Sequence, residues 1–483
     1  MCFERLRETH RMRPRGVVLG VVALSIALSG ERAPADGNSP TMVVFGRDGN
    51  GSPAYSTFDD GSWSSPLAMP SVGAETYWVV LKNCPTRDET ACATLDQDND
   101  INVLIYDGSA WGGATEVCSD AATNSTRPFD LCYEQESGDM LLAYWDNGDE
   151  KVGFRTYGGT VLSGEGLLTM PSTADLRFVS LTPNPATDEI LLLAGNDENH
   201  VFAAAWNGTS WGSVTTLVAD GETATEEQFA VTYESQSGAA LVVYTEQDDD
   251  SPHYRVWDGT SWSADAQMPS IGAGGRWLRL AADPASDEIL FAAVDDSDDI
   301  NVNVWNGSSW GSTLQVESDA FSHAERRFDL AYEAGGGKAL LVYHQAWMVN
   351  PRYRTWDGSS WSSEQQGPLI WSWDRVIQLR TGTTAGEVFV AESDFAGDLQ
   401  MLRWDGSSLS GPQELHTDLG GTESTERFML ALPSGLAPTK LVLKDWSRGG
   451  ANERRESIQG ERESAGWTQP VKDLNHLLQL PPG

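Results

Sequence analysis

Apolar residues along this chain come in short runs of strand length. Residues 276–316 show the pattern as "RWLRLAA", "EILFAAV", "INVNVWN" and "WGSTLQV", with "DPASD", "DDSDD" and "GSS" between them. Alternating or continuous apolar runs bounded by Asp, Pro, Gly and Ser predict four antiparallel β-strands, A to D, joined by tight turns. No stretch combines helical periodicity with capping residues, so no helix is expected.

The unit recurs. Aligned on one turn glycine, Gly61, Gly108, Gly159, Gly208, Gly259, Gly307, Gly358 and Gly406 follow one another at a spacing of about 50 residues. Repeated four-stranded sheets at that period predict a β-propeller, whose blades pack face to face around a channel. Alternate units differ, with "RPFDLCYE" and "RRFDLAYE" in one class and "LTPNPATDEILLL" and "LAADPASDEILFA" in the other. A doubled unit of about 100 residues has therefore been copied. The first unit, "TMVVFGRDGNGSPAYSTFDDGSW", lacks strand A, and the last supplies it from "ERFMLALPSG" onward. A blade built from both chain ends would close the ring and leave no open sheet edge. The expected fold is an all-β propeller of four-stranded antiparallel blades, eight in number, with seven or nine as the neighbouring counts. It occupies residues 36–450, and 451–483 form last-blade strands or a C-terminal tail.

The turn glycine lies in "YDGSAW", "WNGTSW", "WDGTSW", "WNGSSW", "WDGSSW" and "WDGSSL". Two copies contain a literal G-x-S-x-G, at Gly208, Ser210 and Gly212 and at Gly307, Ser309 and Gly311. A nucleophile elbow needs a helix after the serine. Here a strand follows, and Asn-Gly or Asp-Gly between tryptophans reads as the C-to-D hairpin with rings packed across the two strands. No catalytic serine is expected. The motif resembles the W-D-G-x-x-W hairpin of fucose-binding propeller lectins and, more loosely, the Asp-box turn of sialidases, which implies a propeller but not either family's ligand chemistry. It departs from both. The lectins' sugar-binding glutamate is replaced by Ala203, Tyr254, Val302, Tyr353 and Met401, and Asp258 and Gly259 are adjacent where the sialidase turn separates them.

Composition adds a location. Residues 1–35 read as an export signal, with Arg5, Arg7, Arg11, Arg13 and Arg15 before "GVVLGVVALSIAL" and "APA" ending at Ala35. The apolar run is too short to span a bilayer, Met12 is an alternative start, and no later segment reaches membrane-spanning length. A net charge of −38 repels nucleic acid and anionic lipid. The expected setting is secreted, periplasmic or at the cell surface, as a monomer. In an exported chain, Cys84 with Cys92 and Cys118 with Cys132 suggest two disulfides, the sequential pairing being one of three connectivities.

In antiparallel blades the start of strand A, the B-to-C turn and the end of strand D share one face, opposite the tryptophan hairpins. Three features map there. Arginine opens strand A at Arg127, Arg177, Arg276, Arg326 and Arg375; such a ring could grip an anion, or pair with acidic turns. The B-to-C turns carry carboxylates, and Asp96, Asp98 and Asp100 have the beginning of a calcium pattern, although solvated turns explain them as well. No other cofactor is indicated. The seventh unit departs from the acidic pattern with "HQAWMVNP", and "GPLIWSWDR" follows it. His344, Trp347, Trp371, Trp373 and Arg375 would meet there as a stacking surface for a sugar or anchors for a protein, or as a plug between blades. The expected function is non-enzymatic binding of a glycan or an extracellular protein. The alternatives are a propeller glycosidase or lyase acting on an acidic glycan, and a structural repeat protein of the cell surface.

Overall fold

The computed structural model describes residues 39–433 except 224, 321–324, 371 and 421–424; strands Lys440–Leu443 and Glu456–Gln459 are described by backbone alone. The signal at 1–35 lies outside the described residues. Eight sheets of antiparallel strands form an eight-bladed propeller. Among the described residues no helix is long and apolar enough to cross a membrane.

Blade 6 shows how sequence becomes sheet. Its strands Gly275–Ala282, Ile289–Asp295, Ile300–Trp305 and Leu314–Glu317 pair in the order A, B, C, D. Strand B is buried along its whole length because both of its faces meet other blades, which explains its unbroken apolar run. Blade 1 is the composite. Phe428–Ala431 from the far end of the chain serves as strand A beside Thr41–Arg47, with Phe45 opposite Phe428 and Val43 opposite Leu430. Asn50–Asp59, Ser62–Trp63 and Leu67–Ala68 complete it. On the outer rim Gln413 of blade 8 both accepts from the Trp63 N–H and donates to its carbonyl, at 3.1 Å each.

The hairpin motif has two jobs. Asn306 Oδ1 accepts the backbone N–H groups of Ser308 and Ser309 while Gly307 takes φ 85°, so the turn is an Asx cap around a left-handed glycine. Its first tryptophan bolts neighbouring blades together. The indole N–H of Trp206 donates to Glu134 of blade 3 at 2.7 Å, that of Trp305 to Glu234 of blade 5 at 2.6 Å, and that of Trp404 to Glu333 of blade 7 at 2.7 Å. Ser210 and Ser309 are exposed turn residues whose hydroxyls donate to the asparagine of their own hairpin, Asn207 and Asn306.

Aromatic rings from alternate blades meet. Trp78, Phe178 and Trp277 come from blades 2, 4 and 6, so rings with centroids 6.5 and 5.8 Å apart meet across the axis. Below them lies a ring of charge. Arg127, Glu227, Arg326 and Glu426 each precede a strand-A phenylalanine by two residues in alternate blades. Arg127 donates to Glu227 at 3.0 Å and Arg326 to Glu426 at 2.8 Å, while Arg279 lies 2.7 Å from Glu227 and 3.7 Å from Glu426. Burial alone would raise the Glu426 carboxyl, but Arg326 and then Arg279 outweigh it and hold it at about 2.

The disulfide expectation is corrected. Cys84, Cys92, Cys118 and Cys132 are all buried free thiols. In blade 2, Cys92 stands opposite Leu81 and Thr90 opposite Asn83. Cys84 is thus three residues along from Cys92, roughly 10 Å at strand rise, beyond the reach of a disulfide. Cys118 sits on the outer strand of blade 2 and Cys132 on the inner strand of blade 3. Burial pushes their acidity down, the Cys118 thiol to about 11, and they act as core residues.

Candidate functional site

Each B-to-C turn needs one residue in the left-handed region. Seven blades supply a glycine or a short polar or acidic residue there: Gly49, Asn99, Glu150, Asn199, Asp248, Asp298 and Gly397. Blade 7 supplies Trp347, at φ 63°. A bulky aromatic in that region is strained, and strain of this kind persists only where the surrounding structure holds it. The Trp347 side chain is 66% exposed, and its ring stands edge-on to Trp373, with centroids 5.4 Å apart at 90°.

An apolar ledge surrounds this pair. Met348 follows Trp347, Leu369 and Trp373 come from the connection into blade 8, and Phe395 comes from the B-to-C turn of blade 8; all are exposed. The Ile370 N–H donates to Val349 and the Phe395 N–H to Trp373, which ties the three segments side by side. The Phe395 ring lies between two guanidinium groups, Arg327 at 5.0 Å and Arg375 at 4.9 Å. Arg375 also lies 3.8 Å from Glu325. Trp371 is outside the described residues.

Beneath the ledge, ionisable groups replace what other blades keep small or apolar. Register places Glu392 where blades 2, 4 and 6 have Thr94, Ala194 and Ala293, and Asp374 where they have Thr76, Leu176 and Gly275. His344, following strand B of blade 7, stands where blades 3 and 5 have Trp145 and Thr245. All three are buried, with His344 Nδ1 3.2 Å from Asp374 Oδ2. His344 Nε2, Asp374 Oδ1 and both Glu392 oxygens make no hydrogen bond among the described residues. Burial, then the nearby Asp374 and Asp394, pushes the Glu392 carboxyl well above the usual carboxylate range, and burial lifts Asp394 to about 6. The sequence gives no warning of Glu392, because one glutamate in an apolar run reads as an outward position.

The other arginines divide into two sets. Arg127 and Arg326 are buried in the channel ring, each also bonded to backbone carbonyls of the next blade. Arg177 and Arg276 stay at the rim, Arg177 at 2.7 Å from Asp197 and Arg276 against Asp296, with Glu222 at 3.5 Å. The acidic partners Glu227 and Glu426 escaped sequence reasoning, although "EQF" and "ERF" stand where "RPF" and "RRF" do.

Asp96, Asp98 and Asp100 are arranged by the turn. Asp96 is buried and its Oδ1 accepts the N–H groups of Asp98 and Asp100 at 3.0 Å each. Asp295 and Asp394 cap their turns the same way. The Asp-x-Asp-x-Asp spacing is therefore accounted for by a capped turn. Among the described residues, carboxylates gather closely enough for a cation elsewhere, at Asp146, Asp149 and Glu165 and at Glu246, His253 and Asp265.

No protein family and no curated protein matches the sequence. Solved structures do match in fold. The BP39L lectin from Burkholderia pseudomallei is 12% identical with a TM-score of 0.51, covering 71% of this chain and 99% of the lectin. Weaker likenesses are the β-propeller domain of the Trilobed protease from Pyrococcus furiosus, at 9% identity and TM-score 0.43 over 72% of this chain and all of that one, and the Aleuria aurantia lectin, at 14% and 0.39 over 72% and 99%. They share the propeller architecture.

Proposed function

We propose that the protein is an exported, non-enzymatic binding propeller whose Trp347–Trp373 ledge receives a glycan. The observation that carries this reading is Trp347 itself, a tryptophan in a left-handed turn position that the other blades give to glycine or short polar and acidic residues, with its ring exposed and set against Trp373. Indole faces stack on the C–H faces of sugar rings, and an edge-to-face pair presents two such surfaces at right angles. The Arg327 and Arg375 guanidinium groups, each also close to Glu325, hold the adjoining Phe395 ring in place beside the pair. The fold neighbour from Burkholderia pseudomallei is a lectin, which makes a glycan the ligand class to test first.

A glycan array probed with the full chain and with the Trp347→Ala, Trp373→Ala double variant tests the reading. Binding should fall at least about tenfold in the double variant; undiminished binding overturns the site. A second substitution separates folding from binding. Trp347→Asn installs the residue that blades 2 and 4 use in this turn, and should raise the unfolding free energy by about 1 kcal/mol while binding is lost.

A further inference from the structure

We infer that blade 5 carries a site for one divalent transition-metal ion, built from His253, Glu246 and Asp249 and held in shape by Asp265. His253 opens strand C of blade 5 and is buried, while the three carboxylates around it reach toward solvent. Its two nitrogens are treated differently. Nδ1 is 2.8 Å from Asp265 Oδ2, and the other oxygen of Asp265 accepts from the Tyr244 hydroxyl. Both Asp265 oxygens are engaged, so Asp265 fixes the plane and tautomer of the imidazole, as the carboxylate behind a metal-bound histidine commonly does. Nε2 then points outward, 3.3 Å from Asp249 Oδ2 and 3.6 Å from Glu246 Oε2.

Each of these two separations from Nε2 suits a pair of ligands on one ion. Ligand atoms about 2.1 Å from one metal lie roughly 3.0 Å apart at right angles and roughly 3.4 Å apart in a tetrahedron. The Gln267 side-chain amide completes the group, with its nitrogen 2.8 Å from Asp249 Oδ2 and 3.3 Å from His253 Nε2; turned over, it offers an oxygen instead. One imidazole nitrogen with two carboxylates favours zinc or manganese over calcium or magnesium, which take oxygen ligands throughout.

Blade 7 puts a cation at this position. Strand pairing sets His253 opposite Tyr244, as it sets Arg352 opposite Tyr343 in blade 7 and Gly153 opposite Tyr144 in blade 3. Each tyrosine hydroxyl bonds the equivalent acid, Glu165, Asp265 or Glu364. In blade 7 the two turn carboxylates are replaced by Gln345 and Met348, and the Arg352 guanidinium, 3.7 Å from Glu364, brings the positive charge with it. Blade 5 keeps the carboxylates and puts a metal-binding ring where blade 7 has that guanidinium. Bound there, an ion would pin the outer strand, through Gln267 and Asp265, to the B-to-C turn.

Calorimetric titration of the chelator-treated full chain with zinc, repeated with calcium, tests the site. His253→Arg copies blade 7 and should fold normally; Asp249→Asn is the second variant. The expected result is one saturable zinc site per chain, at least tenfold weaker in both variants, with a rise in the wild-type melting temperature on adding zinc that His253→Arg does not show. Anomalous diffraction at the zinc edge should place the ion between His253 Nε2, Asp249 and Glu246. Equal zinc affinity in His253→Arg overturns the inference, as does the lack of a stoichiometric site or calcium binding as tight as zinc.

Discussion

At the scale of single residues, the tryptophans of the hairpin motif do more than pack. Each indole N–H that reaches a glutamate of the preceding blade satisfies a buried carboxylate, and Glu234 has only Ser237 besides Trp305 among the described residues. Trp305→Phe keeps a six-membered aromatic ring and removes the N–H donor together with the five-membered ring that carries it. It should lower the unfolding free energy by about 1–3 kcal/mol in urea titrations, because a buried acceptor is left short of a partner. Ser309→Ala, at the literal G-x-S-x-G, should stay within about 0.5 kcal/mol of the parent. The hairpins were legible in the sequence because Asn-Gly between tryptophans has one strong local solution. The glutamate partners were not, because each lies about 70 residues away and only the blade-to-blade register brings it near. The cysteines misled for the same reason. Short sequence spacing suggested pairing, and register set the thiols too far apart.

At the scale of strands, the composite blade is the seam of the ring. Thr41–Arg47 has Asn50–Asp59 on one side and only Phe428–Ala431 on the other. Deleting residues 425–433 should leave that strand as an open edge, and size-exclusion chromatography should show aggregates in place of a single species. A synthetic peptide of the deleted segment, added during refolding, should restore part of the monodisperse fraction by strand addition. This closure was readable because the first unit begins one strand short. The ledge was readable in part. Trp347 and Trp373 stood out against acidic counterparts, whereas Phe395 and Arg327 join them only through the packing of blades 7 and 8.

For the whole molecule, buried carboxylates set the dependence on pH. Burial raises Asp295 and Asp394 from 3.8 to about 6 in the folded chain, and raises Glu392 well above its usual value. Between pH 3.8 and 6 the folded state binds more protons than the unfolded state at these groups, so they lower stability as pH rises. Glu426 acts in the opposite sense. Its folded value of about 2 lies below its ordinary 4.5, so its contribution is complete above 4.5 and lost as pH falls toward 2. Melting temperature should therefore climb as pH drops from 8 to about 5 and fall again below about 4. Glu392→Gln should raise the midpoint at pH 8 and flatten the climb, as measured by thermal circular dichroism; an unchanged slope would contradict the assignment of Glu392.

The channel ring of Arg127, Glu227, Arg326 and Glu426 has a further consequence for how such a molecule can change size. Its charges alternate from one doubled unit to the next, so each half of the chain carries one arginine and one glutamate of the ring. Losing or gaining a single doubled unit would break that alternation and set two like charges next to each other on the ring, which is unfavourable in a buried setting. Copying or deleting half the molecule would keep the alternation of arginine and glutamate. The pattern of sign around the axis thus favours a change by four blades over a change by two.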